Sequence, residues 1–380
     1  MKDKKILGNV TGCLLGGAVG DALGRPVEFD DYCAIESKYG PDGIKEMETG
    51  NTGFFEITDD TQMTLFTAEG LLRALTTARD SRGEPDYFNA LRCSYLSWLK
   101  TQCLWYIDPE YALHTDGWLV NIEGLHQQRA AGRTCLGALC EDTFRENNIA
   151  NNYSKGCGGV MRAAPAGLLA ARINPDDCVS AAKLAFDIGC TAAAVTHGHP
   201  SGYYSAGVLA SIIATIISGG TIEDGIRISL GFLDGCRGAD ETREAVQAAV
   251  DLWLDTSVAP SHETVESLGG GWVADEAIAI SLYCALVAGT DFARGVRLAV
   301  NHSGDSDSTG SITGNLLGAK LGERAIPSYW LKGLELVDVI RQVGRDLNTT
   351  FENTETWLKS YPLVPCSAIF SFQEDTWLIT

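Results

Sequence analysis

No two cysteines in this 380-residue chain are spaced as C-x-x-C, although it carries twelve. That excludes a zinc ribbon or a thioredoxin-like centre built on the motif. Cysteines so irregularly scattered point instead to reduced, mostly buried thiols in a reducing cytoplasm. Basic residues are short too: 29 Lys and Arg stand against 49 Asp and Glu, a formal charge of −20 with a pI of about 4.6. A general nucleic-acid or anionic-membrane surface needs the opposite sign, so neither partner is expected. An anionic ligand stays open, because helix N-termini and metal ions bind phosphate locally. No apolar run reaches the ~20 residues a bilayer requires; the longest, Ala206 to Ile217, is well short. Met1-Lys2-Asp3-Lys4-Lys5 imitates a signal peptide and Val10-Thr11-Gly12-Cys13 a lipoprotein cleavage site, but Gly8 and Asn9 interrupt the apolar stretch between them. The expectation is a cytoplasmic protein.

Nucleotide-binding signatures are missing as well. No G-x-G-x-x-G follows a strand, and the glycine-rich stretch Ser154 to Met161 lacks the Gly-Lys-Ser/Thr of a Walker loop. There is no internal repeat and no succession of strands, so helices dominate and a mostly α fold is expected. Hydrophobic residues make up 45% of the chain, enough for a substantial core.

What is present is acidic and hydroxylic. Asn301 to Gly310 reads Asn-His-Ser-Gly-Asp-Ser-Asp-Ser-Thr-Gly, which offers several hard oxygen donors from one loop. Asp305, Asp307, Thr309 and Gly310 occupy the first, third, fifth and sixth places of an EF-hand, but the twelfth, which needs a bidentate Glu, is Leu316. The calcium-loop reading fails there. Thr58-Asp59-Asp60-Thr61 lies far upstream, ahead of an apolar-periodic run from Met63 to Leu72. Either stretch serves equally well as a helix N-cap, and capping needs only one side-chain oxygen. Adjacent carboxylates repel unless something positive lies between them. Together the two clusters supply four Asp and several hydroxyls, about what a two-ion oxygen site wants; spacing alone does not bring them together.

Gly12, Gly16, Gly20 and Gly24 line one face of a helix and let another helix approach closely. This stretch, Gly12 to Gly24 leading to Glu28, is followed in order by Thr58 to Thr61, Lys155 to Arg162, Thr196-His197 and Asp305-Ser306-Asp307. In that order and spacing the five segments resemble the ADP-ribosylglycohydrolase family, the group of dinitrogenase reductase-activating glycohydrolases and ADP-ribosylhydrolases. The likeness covers nearly the whole chain and is weakest between Arg79 and Tyr153 and after about Asp346.

The resemblance implies an all-α, compact orthogonal helical bundle. One domain would span 1–345, with 79–153 a variable flap or insertion, and 346–380 would be a C-terminal extension whose Ile369 to Ile379 segment is a strand or a docking arm. It also implies hydrolysis of the bond between ribose C1 of ADP-ribose and a modified protein side chain, arginine first, with two Mg²⁺ or Mn²⁺ as cofactors. Thr58, Asp59, Asp60, Asp305, Asp307 and Ser308 match the metal ligands, Ser308 standing where the family usually has Thr. Glu28 aligns with the catalytic glutamate, and Asp60 is the second catalytic candidate. Ser154, Gly156, Gly158 and Gly159 become a substrate loop, in which Cys157 replaces a frequent Asn. His197, not His199, is carried over to the ADP-ribose diphosphate. The implied partners are an ADP-ribosylated protein, ADP-ribose as product and an ADP-ribosyltransferase. Two alternatives stand beside this reading: a hydrolase of another ADP-ribose-containing substrate, and a binding or immunity protein that recognises an ADP-ribosylating toxin or its modified target.

Overall fold

The computed structural model describes residues 2–102 and 116–364. Helix α1 (Lys2–Gly24) ends in a 3₁₀ turn, Arg25–Val27, and is followed by α2 (Tyr32–Tyr39), α3 (Asp59–Ser81) and α4 (Tyr87–Thr101). Next come α5 (Arg133–Glu141) and a two-residue antiparallel pair, β1 (Phe144–Arg145) with β2 (Ile149–Ala150), in which Phe144 faces Ala150. Then follow α6 (Ala164–Ile173), α7 (Cys178–Ala194), α8 (Pro200–Ile217), α9 (Ile222–Phe232), α10 (Asp240–Leu254) and α11 (His262–Glu266). The last six are α12 (Ala274–Ala288), α13 (Phe292–Val300), α14 (Ser306–Leu321), α15 (Ser328–Gly333), α16 (Val337–Thr349) and α17 (Glu355–Ser360). Among the described residues β1 and β2 form the only sheet, so the all-α expectation holds.

The glycine stripe decides the centre. Helices α1 and α14 run antiparallel with their backbones in contact. A Cβ on Gly20 would lie 1.9 Å from the Gly310 carbonyl oxygen, one on Gly16 2.3 Å from that of Gly314, and one on Gly318 1.9 Å from that of Gly12. Only glycine permits this approach. The seam sets where α1 delivers Glu28 and where α14 starts. By composition α1 and α8 could cross a membrane, but most of each is buried inside the fold.

Helix α3 is buried along nearly its whole length. Leu91, Tyr95 and Trp98 of α4 are buried with it, and Trp98 Nε1 donates to Gln62 Oε1 of α3 at 3.1 Å. Residues 79–153 therefore include a core helix as well as the segment from 116 to 153. At the other end α16 runs across position 345 and Gly344 packs on Thr11 of α1. Beyond it Trp357 Nε1 donates to Thr76 Oγ1 at 3.0 Å and Arg73 Nε to the Pro362 carbonyl at 3.0 Å, which fastens residues up to 364 to α3. Trp105, Ile107, Asp108-Pro109 and the Ile369–Ile379 segment lie outside the described residues. All ten cysteines among the described residues are free.

A buried acid on α3 makes the fold sensitive to pH. Glu69 is fully buried; its Oε1 accepts from Leu119 N at 3.1 Å. Burial pushes its carboxyl up to about 7, against the pull of Arg73. The folded state holds this proton more tightly than the unfolded chain, so the contribution is complete below the unfolded pKa of ~4.3 and is lost as pH rises through about 7. Between pH 5 and 8 the parent protein is expected to lose about 2–3 kcal/mol more stability than Glu69→Gln in urea denaturation. Parallel pH profiles of the two would refute this.

Candidate active site

Both acidic clusters occupy the first turns of long helices, where unpaired backbone N–H groups and the helix dipole favour negative charge. Thr58 caps α3, its hydroxyl accepting from Asp60 N at 3.3 Å. Asp305 caps α14, accepting from Ser308 N at 3.3 Å, and Asp307 accepts from the same N–H at 2.9 Å. Helix α14 thus starts at Ser306, so part of the stretch read above as one loop is the first turn of the helix. Gly304 makes the entry: its φ is +151°, and a Cβ there would lie 2.0 Å from the Gly270 carbonyl oxygen.

The two clusters meet. Ser308 Oγ donates to Asp60 Oδ2 at 3.4 Å. Asp60 Oδ1 is buried without a partner. Glu28, at the end of the 3₁₀ turn, lies on the same cavity of about 200 Å³ as Asp59, Asp60, Asp305, Asp307 and Ser308. The same cavity is lined by Gly156, Gly158 and His197, as well as Trp272.

The glycine-rich loop is stitched to the start of α12: Cys157 N donates to Trp272 O at 3.1 Å and Ala274 N to Lys155 O at 2.8 Å. Arg162, fully buried, holds it from behind, donating to Gly158 O at 2.8 Å and Thr196 Oγ1 at 2.6 Å. Thr196 Oγ1 is also 2.8 Å from His197 Nδ1. The same hydroxyl also reaches the Ala193 carbonyl at 3.4 Å. Burial and the Arg162 charge pull His197 down to about 3, so its imidazole is neutral. Cys157 donates its thiol to Asp305 Oδ2 at 2.8 Å.

Not every expected residue reaches the cavity wall. Thr58 is wholly buried as the cap and also binds Asp21 through its N–H. Ser154 accepts from Gly156 N at 3.3 Å and pairs with Thr134 Oγ1 at 3.0 Å, shaping the loop. Gly159 packs between α7 and α8, where a Cβ would lie 2.8 Å from Ala193 Cβ and 3.1 Å from Gly202 O. Asp21, in turn, had no assigned role, yet it is fully buried and accepts from Thr58 N, Thr61 N and the Thr61 hydroxyl. An aspartate within a small-residue stripe is the local signal that marks it.

Crowding raises the acids. Burial first, then the charges of Asp305 and Asp59, pushes Glu28 up to about 8. Asp59 is pushed up to about 8 and Asp21 to about 6, mainly by burial. Asp60 and Asp307 rise well above the carboxylate range, by burial and by their acidic neighbours. A divalent cation would relieve this repulsion and give Asp60 Oδ1 its missing partner. Among the described residues no three His, Cys, Asp or Glu side chains by themselves form a cage for an ion, so an ion would also draw on hydroxyls or water. Carboxylates and hydroxyls are a hard-oxygen set and fit Mg²⁺ or Mn²⁺.

The sequence model of the ADP-ribosylglycohydrolase family matches residues 2–356. The chain belongs to that family. It is 27% identical over 346 residues to the ADP-ribosyl-dinitrogen reductase glycohydrolase of Rhodospirillum rubrum, covering 89% of this chain and 93% of the relative. It is 24% identical over 365 residues to the ADP-ribosylhydrolase ARH3 of Mus musculus, covering 87% and 89%. A solved ADP-ribosylglycohydrolase-related protein complex superimposes with a TM-score of 0.63 at 26% identity, covering 91% of this chain and 99% of that one. The protein is therefore a glycohydrolase, and its family acts on ADP-ribosylated substrates and releases ADP-ribose. In this glycohydrolase the cavity joins segments that begin nearly 280 residues apart in the chain, from Glu28 to Asp305.

Proposed function

We propose that this glycohydrolase is metal-dependent and removes ADP-ribose from a modified protein side chain, arginine first, by cleaving the bond at ribose C1. The meeting of Asp60 with Ser308, beside an unpartnered Asp60 Oδ1, supports the reading most strongly. Asp59, Asp60, Asp305, Asp307 and Ser308, which line the cavity, would hold two Mg²⁺ or Mn²⁺, with Thr58 behind them as the cap that sets Asp60. Bound there, such ions supply the positive charge that orients ribose hydroxyls and a water. Glu28, with Asp60 as the alternative, holds the proton exchanged with the leaving nitrogen or the attacking water. The backbone of the loop at Gly156 and Gly158 and the neutral imidazole of His197 bind the diphosphate.

Arginine is favoured by the mouth of the cavity. Trp272 lines the cavity and is 44% exposed, and Phe29, next to Glu28 in the chain and 75% exposed, stacks on it with ring centroids 5.7 Å apart. A planar, cationic guanidinium stacks on such faces and is attracted by the acids below. The test compares ADP-ribosylated arginine and serine peptides and follows free ADP-ribose. Faster release from arginine is expected. Release from serine alone would replace the linkage, and tight ADP-ribose binding with release from neither would favour a binding role beside an ADP-ribosyltransferase.

Ion binding should expel protons. In the ion-free protein Glu28 and Asp59 keep theirs until about pH 8, whereas ligating carboxylates must be ionised. Adding Mn²⁺ to chelator-treated protein at pH 7 is expected to release about one proton or more per chain, and affinity should strengthen from pH 6 to 8. Affinity that does not change over this range would contradict the ligand set.

A further inference from the structure

We infer that the ion pair of Arg129 with Glu335 is a positioning device for the catalytic acids, an inference that rests on Asp59 and Glu28 belonging to the reacting centre. The two residues lie 206 positions apart. Arg129 grips Glu335 with both guanidinium nitrogens, Nη2 reaching Oε1 at 3.1 Å, and Nη1 also donates to the Ile57 carbonyl at 3.0 Å. Glu335 Oε2 accepts from Ile57 N at 3.3 Å. The pair therefore clamps both polar groups of the residue that precedes Thr58-Asp59-Asp60. Glu335 is buried.

The segment that carries Arg129 also holds Asp59 itself. The Arg129 carbonyl accepts from Asp59 N at 3.3 Å, and Gly132 N donates to Asp59 Oδ2 at 3.2 Å. Between them Ala130 takes a left-handed conformation, φ +53°, and lies on the cavity wall. An alanine seldom adopts that backbone unless its surroundings hold it there. Its nearest tether is the bidentate grip one residue earlier, a geometry that Lys cannot reproduce.

The chain of charge continues to the other acid. Arg129 Nη2 stands 3.8 Å from Glu56 Oε1, and Glu56 Oε2 pairs with Arg25 Nη2 at 2.6 Å. Arg25 opens the 3₁₀ turn that ends at Glu28. Two cations and two carboxylates thus run from the α15–α16 connection, behind Asp59, to the base of Glu28. None of these four has a hydrogen bond or ion pair to the loop at Gly156 and Gly158 or to His197 among the described residues, so loss of the clamp should disturb the placement of the acids more than binding of the diphosphate.

The test measures kcat, KM, ADP-ribose affinity and melting temperature for Arg129→Gln, Arg129→Lys, Glu335→Gln and the Arg129→Gln/Glu335→Gln double variant, with Asp59→Asn as reference. Misplacement by about 1 Å costs up to ~100-fold in rate. Arg129→Gln and Glu335→Gln are each expected to lose about 10- to 100-fold in kcat, with KM and ADP-ribose affinity within about threefold. The double variant should lose no more than the worse single one, because both break the same pair. Arg129→Lys, which keeps the charge, should remain folded yet not recover kcat, and it carries the test if Arg129→Gln does not fold. Parental kcat in folded Arg129→Lys and Glu335→Gln, with only the melting temperature lowered, would overturn the inference while Asp59→Asn stays inactive. Full activity in Asp59→Asn would instead remove the site assignment beneath it.

Discussion

Asp60→Asn is expected to lose turnover by about 10³-fold or more while the ion-free protein becomes more heat-stable. The two effects share one origin. Asp60 is 2% exposed, has one unpartnered oxygen and faces the charges of Asp21, Asp59, Asp305 and Glu28. In the ion-free fold that carboxyl must either stay charged among like charges or take up a proton, and its amide isostere removes that cost while keeping the shape. Active sites often hold such destabilising groups, and replacing one commonly gains about 0.5–2 kcal/mol. In a chain of 380 residues that is about 1–3 °C, roughly 1–1.5 °C per kcal/mol. The amide ligates a hard cation poorly and cannot act as a base, so transition-state charge stabilisation is lost. Thermal melts in chelator and single-turnover assays with Mn²⁺ check the two halves. A variant that is both active and unchanged in stability would show that Asp60 has neither role.

Gly20→Ala is expected to cost about 3–5 kcal/mol, within the exceptional range for one substitution. The sign is informative, since Gly→Ala inside a helix normally gains up to ~1 kcal/mol. Here the new Cβ would lie 1.9 Å from the Gly310 oxygen and 2.3 Å from its carbonyl carbon. Backbone cannot rotate away, so α1 and α14 must separate. Gly8, in the same helix, has nothing within 4 Å of its virtual Cβ, so Gly8→Ala should be neutral or slightly stabilising. Urea denaturation of both variants decides the point. Equal stabilities would mean that the seam is not tightly determined. Because α1 leads to Glu28 and α14 begins with Ser306-Asp307-Ser308, any folded Gly20→Ala should also lose activity.

The glycine stripe and both acidic clusters were legible in the sequence because each is local. Small residues at intervals of four need a close partner, and paired acids exceed what a cap requires. Their meeting was not legible, because a hydrogen bond between Ser308 and Asp60, 248 positions apart, leaves no periodic trace. The same holds for Arg129 and Glu335. The start of α14 at Ser306 was obscured because Ser, Asp and Thr have weak helix propensity, and only the Asp305 cap commits them. Helix α7 carries a stripe of mostly small apolar residues: Ala181, Ala185, Ile188 and Ala192 are buried, with Lys183 and Asp187, four apart, on the exposed face. Helix α9 carries a readable signal as well, the Thr221–Asp224 capping box ahead of an amphipathic run. Gly159 reads like its neighbours Gly156 and Gly158; only packing against Ala193 and Gly202 separates it from them.

The most direct measurement is release of free ADP-ribose from an ADP-ribosylated arginine peptide by chelator-treated protein, before and after Mn²⁺ or Mg²⁺ is restored. The expected result is no turnover in chelator, recovery with either ion, and no recovery in Asp60→Asn. Full release in the continued presence of chelator would contradict the proposal that the acids at the starts of α3 and α14 work by holding metal ions.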